Sequence, residues 1–457
     1  MAGTPVAAIT TRCCIAGGGP AGMMLGYLLA RAGVEVVVLE KHRDFLRDFR
    51  GDTVHPSTLE VMNELGVLEE FLKLPHDKVR ALGGQIGDEF VQLADFSHLP
   101  TVSKFIALVP QWDFLDFLAD HARVYPTFKL IMRAEVVDLL ESEGRVAGVR
   151  AETPDGELDV HADLTIGADG RGSIVRDKAG LQVQNFGAPM DVLWFRLSRK
   201  ASDGEQTLGR IKAGKMMVML NRGEYWQCGY LIRKGEFENI KARGIEQFRA
   251  DIVSVAPFSG DRMHELPDWQ PIKLLTVRID RLQKWFRPGL LCIGDAAHAM
   301  SPIGGVGINL AIQDAVATAN ILAERLSRNT VGLADLERVQ LRRDFPTRMT
   351  QGLQVFMQNN VIDRVLGRTD FRAPWPLKLF NRWPFLRRIP ARLVGVGFRP
   401  EHVRSPDVRE PYERNFGDVM MFGMVGTDLW GPSPESWILL KTIWKKLGGS
   451  TFDDIKK

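Results

Sequence analysis

The chain has 457 residues, with 45% hydrophobic and 25% charged side chains, the make-up of an ordinary globular protein of more than one domain. A net charge of +3 is too small to mark a nucleic-acid partner. The four cysteines, Cys13, Cys14, Cys228 and Cys292, show neither a disulfide framework nor a zinc spacing, which fits a reducing, cytoplasmic compartment. No charged n-region precedes an apolar core at the start, so no signal peptide is expected. No window approaches the ~18–20 apolar residues of a membrane span.

In chain order, residues 12–16 read as a short buried strand. Gly17-Gly-Gly-Pro-Ala-Gly22 follows, then an apolar helix over Met23–Ala32 and a β-branched strand over Val34–Leu39, closed by Glu40. This is a βαβ unit of about thirty residues. Its Gly17-x-Gly19-x-x-Gly22 pattern is a dinucleotide fingerprint. The first Gly permits the tight turn, the second lets backbone approach a pyrophosphate, and the third lets helix and strand pack closely. Pro20 and Ala21 complete the turn into the helix, whose free N–H groups face the phosphates. Glu40, eighteen residues beyond Gly22, places a carboxylate on ribose hydroxyls, with Lys41 beside it. The pattern alone does not separate NAD from FAD.

Further on, helices are expected over Thr58–Leu65, ended by Gly66, and over Trp112–Arg123. Strands are expected over Arg133–Leu140, Arg145–Thr153 and Leu158–Ile166, the last running into Gly167-Ala-Asp-Gly170. The character changes near residue 185. Asp191–Leu197, Lys215–Asn221, Tyr225–Ile232 and Lys273–Ile279 alternate like half-buried strands, with one helical insert near 235–256. Leu290–Ile293 then reads as an apolar strand, Gly294-Asp-Ala-Ala-His298 as a loop and Ile308–Arg325 as a long helix. In residues 372–404, Arg372, Lys378, Arg382, Arg387, Arg388, Arg392, Arg399 and Arg404 face one acid, Glu401. That stretch either covers the first domain as ordinary helices or lies on an anionic membrane surface. In the tail after residue 405, Gly417–Gly431 is a docking or partner-contact segment in expectation.

Two motifs carry a resemblance. Gly167-Ala-Asp169-Gly170-Arg-Gly-Ser173-Ile-Val-Arg176 resembles the Asp-Gly motif of class A flavoprotein monooxygenases. Cys292-Ile-Gly294-Asp295-Ala-Ala-His298-Ala-Met-Ser-Pro302-Ile-Gly304-Gly305-Val-Gly307-Ile-Asn309 resembles that family's Gly-Asp motif. The family includes para-hydroxybenzoate hydroxylase and the ubiquinone-biosynthesis hydroxylases, and the resemblance covers about residues 12–345. It implies an α/β fold: a Rossmann-like FAD-binding domain with an inserted, mostly antiparallel substrate sheet and a helical C-terminal region. The corresponding segments are 1–184 and 286–345 for FAD, 185–285 for substrate and 346–457 for the C-terminal region and tail.

The resemblance also implies FAD as cofactor, with NADPH or NADH and O₂ as co-substrates. An apolar or aromatic small molecule would be hydroxylated or epoxidised through a flavin C4a-hydroperoxide. Asp295, after Gly294, would accept hydrogen bonds from ribityl hydroxyls. Pro302, Gly304, Gly305, Val306, Gly307, Ile308 and Asn309 would run past the flavin ring into a helix whose dipole favours negative charge. Asp169 would contact FAD indirectly, with Arg176 buttressing its loop. Arg50 would meet the pyrophosphate or ribose, Gln111 would touch FAD, and the Val136 backbone would lie by the adenine. His55 could deprotonate a phenol if it faces the flavin, and His298 would support the Gly-Asp loop. Trp194, Met217, Met219, Trp226 and Tyr230 are the candidates for the substrate pocket. Two other readings share the fold: a reductase of geranylgeranyl-reductase type, which would take up no O₂, and a non-catalytic carrier, which would bind no flavin. Oligomeric state stays open at this stage.

Overall fold

Val36-Val-Val-Leu-Glu40 is buried along its whole length. Such a run suits the middle of a parallel sheet covered on both faces. It lies there in a computed structural model that describes residues 7–46, 53–204, 208–212, 214–362, 365–366 and 375–409. Arg50 and the Gly417–Gly431 segment lie outside the described residues.

The parallel strands run in the order Leu290–Cys292, Gly156–Gly167, Ala7–Ala16, Val36–Glu40, Phe128–Met132. The helix Pro20–Arg31 joins two of them and is buried along nearly its whole surface. Phe128–Met132 was not expected as a strand. The expected strand from Arg133 starts late because Arg133 takes a left-handed φ of 54°, which separates Phe128–Met132 from Glu135–Ser142. Glu135–Ser142 and Arg145–Thr153 extend the sheet antiparallel from Gly156–Gly167.

The second sheet has seven strands, in the order Lys273–Leu275, Met190–Ser198, Tyr225–Arg233, Lys215–Asn221, Leu208–Lys212, Ala81–Ile86, Glu89–Asp95. Its last two strands come from the segment assigned above to the FAD domain, so residues 185–285 do not make the sheet alone. Ala81-Leu-Gly-Gly-Gln-Ile lacks β-branched alternation, and its only parallel pairing is to Leu208–Lys212. One face packs Leu193, Phe195 and Leu197 against Phe248 and Ile252 of the helix Ile245–Val255. The other face is open to a cavity.

The helix Leu333–Met357 runs through the boundary expected at residues 345/346, with Pro346 inside it. It packs on Gly307–Ser327, the start of which is the Gly-Asp loop's continuation. The segment Ile303–Ser327 is long and apolar enough to cross a membrane, which corrects the expectation that no window comes near; 67% of its most apolar window is buried, as in a core helix.

The contact between these helices is charged, with Arg343 and Asp314 closed to water. Arg343 Nε donates to Asp314 Oδ1 at 2.9 Å and Arg343 Nη1 to Glu401 Oε1 at 3.2 Å, while Arg342 Nε donates to Glu401 Oε1 at 2.7 Å. Burial would raise the Asp314 carboxyl, but His298 and Arg343 outweigh it and hold it below its ordinary value. Removing one member of a buried pair leaves the other charge uncompensated. Arg343→Leu should therefore lower stability by about 3–5 kcal/mol, read as a drop in the urea unfolding midpoint.

Candidate functional site

At the end of the Ala7–Ala16 strand the chain turns sharply. Gly17 has φ of 106°, and a Cβ there would run into the Ala168 carbonyl; a Cβ on Gly22 would run into the Gly17 carbonyl. These two glycines are therefore fixed by close approach. Gly19 differs: a Cβ there would meet nothing within 4 Å, because it faces the cavity. Pro20 opens the helix and no side chain caps it, so its first N–H groups are left for a ligand. Glu40 is spent in part on the protein. Its Oε2 accepts from Gly18 N and its Oε1 from His42 N, both at 3.0 Å.

The Asp-Gly motif is held from within. Ser173 Oγ donates to Asp169 Oδ1 at 2.5 Å and Val175 N to Oδ2 at 3.1 Å. Burial still pushes the Asp169 carboxyl up. Arg176 buttresses the loop as expected, donating from Nη2 to Arg171 O at 2.7 Å. Arg171 is the residue the sequence reading passed over. Its Nε donates to Asp295 Oδ2 and its Nη2 to Met300 O, each at 3.1 Å, so it ties the Asp-Gly motif to the Gly-Asp motif. Its Nη1 is buried without a protein partner. The one available signal was an arginine beside an Asp-Gly turn, a residue type common on surfaces.

The Gly-Asp loop packs on the opening turn, since a Cβ on Gly294 would sit 3.1 Å from Ala21 Cβ and 3.3 Å from Ala311 Cβ. Gly294 N donates to Asp314 Oδ2 at 3.1 Å, and His298 Nε2 lies 2.5 Å from the same oxygen, which is the supporting role expected of His298. Asp314 itself had no motif to announce it. Past Pro302, Gly305 is left-handed and its Cβ would strike Thr53 Oγ1, which instead donates to Gly305 O at 3.0 Å. The helix Gly307–Ser327 then begins without a side-chain cap.

All of this surrounds one cavity of about 1800 Å³, open to Gly17, Gly19, Pro20, Ala21, Glu40, Lys41, Gln111, Val136, Asp169, Asp295, Pro302, Gly304, Gly305, Gly307 and Ile308. Three expectations need correction. Asn309 turns inward: its Oδ1 accepts from His55 N at 2.8 Å and Thr58 Oγ1 at 2.7 Å, and its Nδ2 donates to Thr53 O and Gly305 O at 3.3 Å. Neither its side chain nor Val306 lines the cavity. His55 is 0% exposed, sits 2.7 Å through Nδ1 from Val394 O and is lowered by burial to about 4, so it is a neutral structural residue and no base for a phenol. Met217, Met219, Trp226 and Tyr230 point to the helix-covered face of the second sheet. Strand alternation gives the cavity Met216, Val218, Leu220 and Gln227 instead, and of the five pocket candidates only Trp194 lines it.

The cavity's far wall is apolar. The helices Trp375–Arg382 and Arg388–Gly395, with the turn Pro384–Arg387 between them, roof it with Leu377, Phe380, Leu386, Ile389 and Leu393. The first of the two readings of residues 372–404, that of a cover, describes this segment.

Two uncapped helix starts, a bare glycine facing open space and an orphaned arginine N–H make a donor set for a diphosphate-bearing, ring-containing cofactor. A Rossmann-type parallel sheet with a second sheet across such a cavity defines a flavoprotein oxidoreductase. Residues 10–351 match the family model described as "FAD binding domain", and the chain belongs to this family, with the class A flavoprotein monooxygenases. It is 32% identical over 405 residues to 6-methylpretetramide 4-monooxygenase of Streptomyces rimosus, covering 86% of this chain and 94% of that one. It is 28% identical to rifampicin monooxygenase of Streptomyces venezuelae, over 66% of this chain and 61% of that one. Among solved structures, p-nitrophenol 4-monooxygenase PnpA of Pseudomonas putida shares the fold at TM-score 0.68 and 19% identity, over 84% of this chain and 97% of that one.

The His55 assignment can be tested by pH. A histidine whose folded value lies near 4 binds its proton in the unfolded chain first, so its contribution is complete above about pH 6.5 and is lost as pH falls toward 4. His55→Asn, which keeps a donor for Val394 O, should flatten the fall in unfolding free energy between those pH values by roughly 2–3 kcal/mol. Its pH–rate profile between pH 6 and 8 should match that of the parent.

Proposed function

We propose that the chain is an FAD-dependent monooxygenase that uses NAD(P)H and O₂ to hydroxylate or epoxidise an apolar, aromatic small molecule. The observation that carries this is the single cavity: it joins the glycine turn to the Gly-Asp loop and continues onto an apolar sheet face. The monooxygenase names of the two relatives above point the same way.

In this reading the Gly17–Gly22 turn, with the Pro20–Arg31 helix start, holds the pyrophosphate. Glu40, Lys41, Gln111 and Val136 hold the adenosine half. Asp295, positioned by Arg171, accepts from the ribityl chain, and Asp169 shapes the turn beneath it. Pro302, Gly304, Gly305, Gly307 and Ile308 form the wall against the flavin ring. Bound there, FAD would supply the redox chemistry, hydride acceptance from NAD(P)H and activation of O₂. The start of the Gly307–Ser327 helix stabilises negative charge at the ring's edge. The apolar roof excludes water from the reacting centre. No acid–base group is asked of the protein, in keeping with His55 being walled off.

Purified protein should be yellow, and substrate should stimulate NAD(P)H oxidation with matching O₂ uptake and transfer of label from ¹⁸O₂ to product. Oxidation without O₂ uptake would make it a reductase, and a colourless protein would make it a carrier. Asp295→Ala should weaken FAD binding at least tenfold in equilibrium dialysis. The roof's outer edge exposes Trp383 at 47% and Phe385 at 61%, beside Arg382 and Arg388. We propose it as a peripheral contact for anionic lipid. Co-sedimentation with phosphatidylserine vesicles that disappears in high salt is the expected result; none at low salt would remove the proposal.

A further inference from the structure

The open face of the second sheet carries one cross-strand row through all seven strands: Lys273, Trp194, Gly229, Val218, Gly209, Gly84 and Val91 are successive register partners. Every one of them lines the cavity. Partners in register share a face, so this row runs along the middle of the cavity's floor, with Leu231, Met216 and Ile211 in the row beside it.

At one end of the floor lies an aromatic ring. A Cβ built on Gly229 would be 3.1 Å from both Cη2 and Cζ3 of Trp194 and 3.3 Å from Val192 Cγ1. The indole therefore lies down across the neighbouring strand, over the bare backbone of Gly229, rather than standing up into the cavity. Trp194 also packs in the same apolar cluster as Met216, Val218 and Ile303, and Ile303 belongs to the glycine loop assigned to the flavin ring. The indole thus sits where substrate and the reacting end of the cofactor meet. Beyond it the floor stays low, because Gly209 and Gly84 add no side chain. At ~4.8 Å between strands, the run from Trp194 to Gly84 spans roughly 19 Å, several times the width of one benzene ring. Apart from Lys273 at its edge, the row carries no charge.

We propose that Trp194, held flat by Gly229, is the specificity-determining residue on which a planar substrate of several fused rings stacks. This rests on the oxygenase reading above and adds the size and shape class of the substrate. A flat, neutral, extended floor rewards stacking area; a one-ring phenol would cover only part of it.

The test uses flavin-loaded enzyme and two probes, 1,2-dihydroxyanthraquinone and catechol, with dissociation constants from titration calorimetry. The parent should bind the tricycle at least tenfold more tightly than catechol. Trp194→Ala should weaken the tricycle about tenfold and catechol less than twofold, and Trp194→Phe, which keeps a flat ring, should recover most of the loss. Gly229→Val, which crowds the indole off the strand, should weaken the tricycle at least as much as Trp194→Ala. Equal affinity of the parent for both probes would overturn the proposal. So would an unchanged tricycle affinity in Trp194→Ala, or equal weakening of both probes. Retained flavin absorbance in each variant reports that the fold is intact. A parent that holds no flavin would sink the oxygenase reading itself, whereas a yellow parent with no dependence on Trp194 would sink only this inference.

Discussion

Asp314 is a carboxylate with no exposure to solvent, and three residues from two separate parts of the chain are fastened to it. Gly294 N and His298 approach one oxygen and Arg343 the other. Through Gly294 it fixes the loop that carries Asp295; through Arg343 and Glu401 it fixes the segment that follows the roof. A buried charge of this kind is costly unless every partner is in place. The arrangement therefore behaves as all or none: the Gly-Asp loop is in position when the long C-terminal helix is docked, and not otherwise.

Much of the parallel sheet was legible in the sequence because its signals are local. The β-branched strand, the glycine turn and the acid at the strand end each depend on neighbours a few residues away. The Gly-Asp loop was legible as a pattern, although what holds it was not. Asp314 sits mid-helix among alanines, and a buried aspartate there looks like any other helical aspartate until Arg343 is brought beside it. Arg171 was hidden for the same reason. Asn309 and His55 failed in the opposite sense. Both belong to segments that border the cavity, but the Asn309 side chain turns to the backbone of His55 and the His55 ring to Val394, a choice set by tertiary packing.

The second sheet shows how alternation misleads when its phase is unknown. Period-two patterning placed strands correctly at Lys215–Asn221 and Tyr225–Arg233, yet it gives two faces without saying which is covered. The large residues Met217, Met219, Trp226 and Tyr230 went to the face that helices bury, because that face has the most area to fill. The cavity face kept Gly229, Gly209 and Gly84 in its middle row, and glycine gives no sequence signal for a binding surface. Ala81–Ile86 was missed on the same ground, being rich in the very residue that makes the floor flat.

That strand has a further consequence for how the molecule comes to be. Its parallel partner begins more than a hundred residues later, with Gly84 matched to Gly209, and much of the nucleotide-binding sheet lies between them in the chain. Pairing at such separation is entropically late and slow. The parallel sheet holds pairings as distant, Ala7 with Leu158 and Thr165 with Leu290, so both sheets close late. Until they close, the edge of Leu208–Lys212 is an unpaired template for aggregation in the nascent chain.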